Sequence, residues 1–301
     1  MKTNTSILVF GEAIFDCSPD GEQVLGGAPF NVAWHLQALG DKPVFISRIG
    51  NDKLGQIISS AIHDWGMSTQ ALQIDPAHPT GQVEVTLIDN EPCYAITPNC
   101  VYDFISAEAL ESLPDSGILY HGTLGLRNNQ SRDCLASISH QPDLSIFLDV
   151  NLRSPWWQQQ EVFSWLEQAR WAKLNEGELQ QLGFAATDIE AAMHTIQAQF
   201  QLEQLIVTQG AKGVSVLTND GALYQQTPSP VERIVDTVGA GDGFSAMYMH
   251  GLRAAWPIQE TMTVAQKFAG KVIGLRGATA KEQDFYRDFI DISDAPPTAN
   301  Y

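Results

Sequence analysis

The most informative stretch of the sequence reads Asp236-Thr237-Val238-Gly239-Ala240-Gly241-Asp242-Gly243-Phe244-Ser245-Ala246, and a helical pattern follows it to about Leu252. Glycine and alanine directly before a helix let the backbone approach a ligand closely. The first N–H groups of such a helix have no partner within it. Together with the helix dipole they form an anion site, suited to the charge that develops on a transferred phosphoryl group.

Asp242 lies inside this anion site, where the helix dipole favours its ionised form. An ionised carboxylate at this position can accept the proton of an attacking hydroxyl, which is the role of a general base. The structural alternative is that Asp242 caps the helix and that the glycines form a tight turn. Spacing alone leaves both interpretations open.

The rest of the chain alternates short apolar runs with longer amphipathic stretches, a pattern typical of βα units. Strands are predicted at Ser6–Phe10, Val44–Arg48, Ile118–Tyr120, Ser145–Val150, Trp171–Leu174 and Gln204–Thr208, and helices at Asn31–Leu39, Leu54–Trp65, Glu161–Ala169 and Ile189–Phe200. We therefore predict an α/β fold with a doubly wound, mostly parallel sheet flanked by helices. A single domain is expected over residues 1–301, because no linker or internal repeat interrupts the pattern.

Two segments near the beginning alternate polar and apolar residues instead, which predicts antiparallel hairpins with one wet face. The first runs from Ile14 through a Pro-Asp-Gly turn to Leu25, and the second runs along Gly81–Ile96 with a turn at Asp89-Asn90. They form either a small β lid, inserted at about 14–25 and 81–104, or an extension of the main sheet's edge.

The charge and composition exclude several classes of protein. Seventeen Lys and Arg against 35 Asp and Glu give a formal charge of -18, which argues against binding nucleic acid or an anionic membrane surface. No run approaches the ~20 apolar residues of a membrane span, and no signal peptide is expected. The four cysteines form no CxxC pair, which favours a reduced, cytoplasmic protein. The sequence also has no GxxxxGK[ST] and no GxGxxG after the first strand, so a nucleotide would need another architecture.

A second group of candidate residues lies near the beginning of the chain. Gly26-Gly27 precedes Ala28-Pro29-Phe30, and Asn31 then offers both a donor and an acceptor in the first turn of a helix. Asp16, at the end of the first hairpin strand, could bind two vicinal hydroxyls through its two oxygens. Taken singly, each of these residues also fits a turn or a helix cap.

Together the two groups resemble the two signatures of the ribokinase-like (PfkB) carbohydrate kinases, and the resemblance covers nearly the whole chain. The segments Gly11–Asp16 and Gly26–Asn31 are similar to the fructokinase branch. Ribokinases often have Lys where this sequence has Ala28, which weighs against ribose as the substrate.

The resemblance implies a role for each matching position. Asp242 corresponds to the catalytic base, and Gly239, Ala240 and Gly241 correspond to the anion hole for the transferred phosphate. Sugar contacts are implied for Asp16, Gly27 and Asn31. Arg153, in a segment that resembles the fructokinase DxNxR element, would reach the substrate or a phosphate; its structural alternative is a surface Arg at a strand end.

The resemblance also implies a nucleotide site, with ATP and Mg²⁺ as cofactors and the need for K⁺ left open. Asn175 and Glu178 correspond to an element that organises hydrated Mg²⁺ and phosphates without a direct metal ligand, although the same pair is also a capping box. Thr208, Gly210 and Gly213 are implied beside the nucleotide phosphates, and 266–279 beside the adenine. Of the seven histidines, His121 is the best placed to line the sugar pocket.

We therefore expect an ATP-dependent kinase that phosphorylates a primary hydroxyl of a small free sugar, with fructose as the first choice. Kinases of 2-keto-3-deoxygluconate, ribose or a nucleoside are the alternatives within the family. A catalytically silent sugar-binding regulatory protein is the alternative from another class, and the intact Gly-Ala-Gly-Asp sequence weighs against it. A homodimer through the lid is an open expectation.

Overall fold

The structure is a computed structural model that describes residues 5–88, 91–110, 112–184, 188–228, 231 and 233–294. The predicted turn at Asp89-Asn90 lies outside the described residues. The strands are β1 (Ser6–Phe10), β2 (Ile14–Cys17), β3 (Gln23–Gly26), β4 (Val44–Gly50), β5 (Leu72–Asp75), β6 (Gly81–Ile88), β7 (Glu91–Ile96), β8 (Ser116–His121), β9 (Asp143–Asp149), β10 (Trp171–Asn175), β11 (Gln204–Thr208), β12 (Val214–Thr218) and β13 (Leu223–Gln226). The α-helices are α1 (Ala28–Ala38), α2 (Lys53–Asp64), α3 (Asn129–Ser139), α4 (Gln159–Leu166), α5 (Glu176–Gln181), α6 (Ile189–Phe200), α7 (Ala240–Arg253), α8 (Ile258–Val272) and α9 (Arg287–Asp294).

The main sheet has the strand order β13-β12-β11-β10-β9-β8-β1-β4-β5 in the described part of the chain. The seven strands from β11 to β5 run parallel, whereas β12 and β13 pair antiparallel at one edge. The prediction of a mostly parallel α/β sheet is therefore confirmed. Because the parallel strands all end at the same edge, the loops that follow them meet there, where ligands bind in open α/β sheets.

Helices cover both faces of this sheet, as the alternating side chains of β1 show. Ile7 and Val9 pack in the core cluster that includes α1, α7 and α8. Leu8 and Phe10 point to the opposite face and pack with α3. All four side chains are at most 1% exposed, and fully burying a side chain of this size stabilises the fold by about 1.5–3 kcal/mol. The doubly wound arrangement is confirmed.

The two predicted hairpins form a sheet of their own, in the order β3-β2-β6-β7. Strand β2 joins them by pairing antiparallel with β3 and parallel with β6. Ile14 and Val83 of this small sheet pack on Tyr102 and Leu124, which belong to short 3₁₀ helices at 101–104 and 124–126. The alternative, an edge extension of the main sheet, is wrong because both edges described for that sheet are formed by other strands.

Several element boundaries and three strands differ from the sequence predictions. Helix α1 begins at Ala28 instead of Asn31, because Pro29 fits the first helical turn and Gly27 precedes it with a φ of 105°. The sequence predictions missed three strands, β5, β12 and β13, and two helices, α3 and α8. In the described part of the chain, no helix is long and apolar enough to cross a membrane.

Candidate active site

Helix α7 begins within the glycine-rich stretch and points its N-terminus toward the carboxyl edge of the sheet. Gly239 precedes it with a φ of 80°, and a Cβ there would overlap Cβ of Ala278, so this position requires glycine. Asp242 is the third residue of the helix. Its side chain lies in the first turn, where the unpaired backbone N–H groups and the helix dipole favour negative charge.

Asn31 joins the two candidate groups of residues directly. Its Nδ2 donates a hydrogen bond of 2.8 Å to Oδ2 of Asp242. Asn31 is buried in the first turn of α1, and its Oδ1 has no hydrogen-bonding partner among the described residues. Burial and the charge of Asp149 raise the pKa of Asp242 above its ordinary value, whereas the bond from Asn31 works in the opposite direction.

Asp16 and Asn31 face a common space beside the Gly26-Gly27 turn. A side chain at Gly26 would begin 3.8 Å from Oδ2 of Asp16 and 3.9 Å from Oδ1 of Asn31, so glycine keeps this space open. At Gly27 a Cβ would lie 2.8 Å from the backbone oxygen of Glu12, which also requires glycine. Three predicted sugar-site residues, Asp16, Gly27 and Asn31, are therefore neighbours in the fold.

Arg153 contributes positive charge to the same place. It is exposed and follows β9, and its charge lowers the pKa values of Glu12, Asp16 and Asp242 against the larger, raising effect of burial. Its Nη1 donates a hydrogen bond of 3.3 Å to the backbone oxygen of Leu152. The structure thus places the Arg153 charge within reach of these three carboxylates.

A buried ion pair lies beneath the first turn of α7. Nζ of Lys173 is 2.8 Å from both carboxylate oxygens of Asp149, and Ser245 Oγ donates a further bond of 2.7 Å to Asp149. A Cβ at Gly241 would lie 3.5 Å from the Lys173 ammonium. Although burial disfavours the ammonium, Asp149 raises the pKa of Lys173 above its ordinary value. The pair thus lies directly beneath the anion site, where the Asp149 carboxylate balances the charge of the Lys173 ammonium.

Asn175 and Glu178 form the expected capping box at the start of α5. Glu178 N–H donates to Oδ1 of Asn175 at 2.9 Å, and the Asn175 N–H donates to Oε2 of Glu178 at 2.8 Å. The other carboxylate oxygen of Glu178 accepts a bond of 2.9 Å from the N–H of Leu152. Burial raises the pKa of Glu178. This carboxylate therefore ties the loop that carries Arg153 to the end of β10.

Thr208 ends β11 directly beside Asn175, with which it is paired in the parallel register. The 3₁₀ helix Gly210–Lys212 follows, and Gly210 and Gly213 have φ values of 56° and 110°. A Cβ at Gly213 would overlap the backbone oxygen of Gln226, so the fold itself requires this glycine. The predicted nucleotide residues thus continue along the same edge of the sheet.

The prediction that His121 lines the sugar pocket is wrong. Its side chain is buried on the opposite face of the sheet, with its ring 6.4 Å from that of Trp165. Strand alternation explains the error, because the neighbouring Tyr120 faces the site and its hydroxyl lies 3.4 Å from Oδ2 of Asp149. Burial lowers the pKa of His121 to about 4.

Sequence reasoning missed two buried charges at the site, Glu12 and Lys173. Burial raises the pKa of Glu12 to about 7, with Arg153 lowering it and Asp242 raising it. Lys173 lies in the middle of an apolar strand. That position could have indicated a buried ion pair, since a buried Lys needs a charged partner. In the described residues, no three His, Cys, Asp or Glu side chains are grouped as a metal site.

The arrangement is chemically specific. A partly buried carboxylate, that of Asp242, sits at a helix N-terminus that favours anions, and the open space faced by Asp16 and Asn31 lies beside it. Such a site can take a proton from a hydroxyl while stabilising negative charge on the group that the hydroxyl attacks.

Comparison with known proteins agrees with this chemistry. Residues 4–284 match the model of the pfkB family of carbohydrate kinases. The chain is 32% identical to a fructokinase of Klebsiella pneumoniae, and the match covers 83% of this chain and 85% of that protein. It is 27% identical to the aminoimidazole riboside kinase of Salmonella typhimurium, and that match covers 81% of this chain and 80% of the kinase. A double-mutant fructokinase of Vibrio cholerae, solved with fructose, ADP and a potassium ion, superposes with a TM-score of 0.82 at 26% identity over 95% of this chain and 99% of that one. The chain belongs to the pfkB family of carbohydrate kinases.

Proposed function

We propose that this protein is an ATP-dependent fructokinase that phosphorylates a primary hydroxyl of the free sugar. The observation that carries the proposal is the hydrogen bond between Asn31 and Asp242, because it joins the sugar-side residues to the N-terminus of α7. A hydroxyl bound beside Asp16 and Asn31 would lie next to a carboxylate and an anion site.

In this proposal Asp242 accepts the proton of the attacking hydroxyl. Its burial and the nearby Asp149 raise its pKa, which makes it a better proton acceptor than an exposed Asp. The backbone N–H groups of Gly239–Gly241 and the start of α7 then stabilise the charge on the transferred phosphoryl group. Lys173 lies beneath this position and is paired with Asp149.

ATP and Mg²⁺ are proposed to bind along the edge formed by Asn175, Thr208 and the loop after β11. Both oxygens of Glu178 already accept backbone N–H groups, and Asp149 is paired with Lys173. These carboxylates therefore fit a metal ion that is held by phosphate and water, with Glu178 nearby, better than one ligated directly. When bound, Mg²⁺ would offset the phosphate charge that a protein of formal charge -18 otherwise repels. A requirement for K⁺ is proposed from the potassium-bound fructokinase alone.

The choice of fructose rests on the relatives and on the Gly-Gly-Ala-Pro-Phe-Asn segment. Fructokinases are among the most similar curated proteins, and Ala28 occupies the place where ribokinases often have Lys. A riboside is the second candidate, because an aminoimidazole riboside kinase matches over a similar share of the chain. The intact Asp242 and its partner Asn31 weigh against a silent sugar-binding protein.

The small sheet is proposed to act as a lid over the sugar. Its inner residues Ile14 and Val83 pack on Tyr102 and Leu124, close to the end of β1 from which the sugar site begins. A lid excludes water, which competes with the sugar hydroxyl for the phosphoryl group. The same sheet is the surface proposed for a homodimer.

An ADP-release assay over a panel of substrates tests the proposed function. The panel contains fructose, other ketoses and aldoses, 2-keto-3-deoxygluconate, ribose and several nucleosides, each with Mg²⁺-ATP. We expect the highest kcat/KM with fructose, and Asp242→Asn measured in parallel excludes a contaminating kinase. A clear preference for a riboside would replace fructose as the substrate, and no sugar-dependent release with any compound would favour the silent binding protein.

A further inference from the structure

Three buried polar groups near the candidate site have no hydrogen-bonding partner among the described residues. They are Oε2 of Glu12, the hydroxyl of Tyr102 and Nη1 of Arg127. Glu12 is 3% exposed, Tyr102 is 0% exposed and the side chain of Arg127 is 4% exposed. Folded proteins pair nearly all of their buried polar groups, and a buried charge without full hydrogen bonding is especially costly. Three such groups in one region of the interior mark a place where a polar ligand would supply the missing hydrogen bonds.

The three groups belong to one region of the fold. The guanidinium of Arg127 lies 4.9 Å from the centre of the Tyr102 ring. A Cβ at Gly125, two residues before Arg127, would lie 3.2 Å from Oε2 of Glu12. The charges also influence one another, since Arg127 lowers the pKa values of Glu12 and Tyr102 against the raising effect of burial.

This region adjoins the proposed sugar site and lies beneath the small sheet. Glu12 follows β1 and its backbone contacts Gly27, where a Cβ would meet the Glu12 oxygen at 2.8 Å. On the other side, a Cβ at Gly81 would lie 2.5 Å from Cε1 of Tyr102 and 2.7 Å from Cγ2 of Ile14. The hydroxyl end of the Tyr102 ring is therefore held where β2 and β6 meet.

Arg127 is held rigidly, so the direction of its free Nη1 is fixed. Its Nε and Nη2 bind both carboxylate oxygens of Asp103 at 2.6 and 2.8 Å, and Nη2 also donates to the backbone oxygen of Thr97 at 2.7 Å. The Trp156 ring lies 4.5 Å from the guanidinium. A preorganised donor loses little freedom on binding a ligand, and Asp103 already compensates the positive charge.

We infer that Glu12, Tyr102 and Arg127 form a second hydroxyl-binding part of the sugar site, which selects a neutral polyhydroxylated substrate. This inference rests on the proposed function. Two donors and an acceptor match neighbouring hydroxyl groups, because each hydroxyl both donates and accepts. A substrate with its own carboxylate or phosphate would instead be repelled by the carboxylates of Glu12, Asp16 and Asp242. A single cation, Arg153, faces all three of these groups.

Two conservative variants test this subsite. Tyr102→Phe removes the free hydroxyl and keeps the ring, and Glu12→Gln removes the charge and keeps the shape. Tyr248→Phe is the matched control, because its buried hydroxyl bonds Gln204 at 2.6 Å outside the candidate site. Steady-state kinetics would be measured with the best neutral sugar, its monodeoxy analogues and an acidic sugar, after thermal melting has verified that each variant folds.

We expect Tyr102→Phe to raise the KM for the sugar about 5- to 10-fold, the effect of one hydrogen bond. Glu12→Gln replaces one carboxylate acceptor by an amide donor, so it should raise the KM by about 10-fold or more. Changes in kcat and in the KM for ATP should stay within about threefold. One deoxy analogue should have a higher KM than the parent sugar with the wild type. With Tyr102→Phe the two KM values should be equal, because the protein hydroxyl that binds the deleted sugar hydroxyl is already absent. The control should match the wild type.

The possible failures are distinguishable. An active wild type whose Tyr102→Phe and Glu12→Gln variants keep its KM for every sugar overturns the subsite and leaves the proposed kinase intact. Higher kcat/KM for the acidic sugar than for any neutral one overturns the selectivity. A wild type that phosphorylates nothing in the panel contradicts the proposed function, and the inferred subsite is then contradicted as well.

Discussion

Nδ2 of Asn31 lies 2.8 Å from Oδ2 of Asp242, although the two residues are 211 positions apart in the chain. One belongs to the first turn of α1 and the other to the first turn of α7. The contact orients one oxygen of the carboxylate and leaves the other available. It also makes the ionisation of Asp242 depend on a residue of the sugar side.

Asp242→Asn should abolish most of the activity while preserving the fold. The change keeps the size of the side chain and removes its ability to accept a proton, so kcat should fall by at least ~10²-fold with little change in sugar affinity. Stopped assays of kcat and calorimetry with the sugar measure the two quantities. Asp288→Asn, an exposed Asp in the first turn of α9, is the control. A kcat within a few-fold of wild type would show that Asp242 is not the base.

Asn31→Ala should move the acid limb of the kcat/KM profile to higher pH. The Asn31 hydrogen bond stabilises the carboxylate and so lowers the pKa of Asp242. Removing it raises that pKa further, and a smaller fraction of the base is then ionised at any given acidic pH. The profile of Asn128→Ala, which removes a helix cap at α3, should match that of the wild type. An unchanged limb would mean that this titration belongs to another group.

Asp16→Ala should weaken sugar binding strongly and leave ATP binding nearly unchanged. Asp16 faces the open space beside Gly26, and burial raises its pKa while Arg153 lowers it. Loss of hydrogen bonds to a charged group costs about 1.5–3 kcal/mol each, or roughly 10- to 150-fold in affinity. Calorimetric titration with each ligand measures the effect, and Asp20→Ala in the exposed turn of the same hairpin is the control. Unaltered sugar affinity would reduce Asp16 to a structural residue.

Lys173→Met should destabilise the protein by about 3–5 kcal/mol, because it leaves the buried Asp149 carboxylate without its cation. The double variant Lys173→Met/Asp149→Leu should regain most of this loss, since neither charge then remains. Urea unfolding measures both. Lys212→Met, which breaks an exposed pair with Glu176, should change the free energy of unfolding by less than about 1 kcal/mol. Equal losses in the single and double variants would argue against the ion pair as the cause.

Amide exchange in β6 and β7 should slow when the sugar binds, and more than it does with ATP alone. Strands β6 and β7 form one side of the four-stranded small sheet, and we expect their protection to depend on what lies beneath that sheet. Hydrogen-exchange mass spectrometry of peptides covering 81–96 provides the measurement, with peptides from the buried β9 as an internal reference. Equal exchange with and without sugar in an active preparation would indicate a fixed sheet or a permanent dimer contact.

The fold class was predictable because most strands and helices carry an apolar pattern of their own, although helices α3 and α8 were missed. Helix α6 and strands β1 and β11 have the predicted bounds, since an apolar pattern and clear turn residues define both ends. Three strands were missed, and β5 illustrates one reason. Its four residues alternate half-buried or exposed positions with buried ones, too briefly for a period to emerge, and pairing with β4 determines its conformation.

Glycine patterns gave the clearest signal of the candidate site in the residues themselves, and the family resemblance supplied the other predicted positions. The Gly26-Gly27 and Gly239–Gly241 segments signal close approach, and Asn31 and Asp242 follow them. By contrast, nothing local pairs Lys173 with Asp149 or places Tyr102 against Arg127, because those contacts arise from strand order and helix packing. His121 was misplaced for the same reason, since one position along a strand exchanges the two faces of the sheet.

Strand β1 lies inside the main sheet, between β8 and β4, and this position affects how the protein can fold during its synthesis. Strand β4 can pair with β1 early, but the other neighbour, β8, ends only at His121. At about 5–20 residues per second, the ribosome needs roughly 4–14 s to proceed from the end of β4 to the end of β8. During that interval the apolar edge of β1 has unpaired N–H and C=O groups that another nascent chain could pair with. A chaperone that covers this edge until β8 has been synthesised would therefore prevent β1 from pairing with another nascent chain.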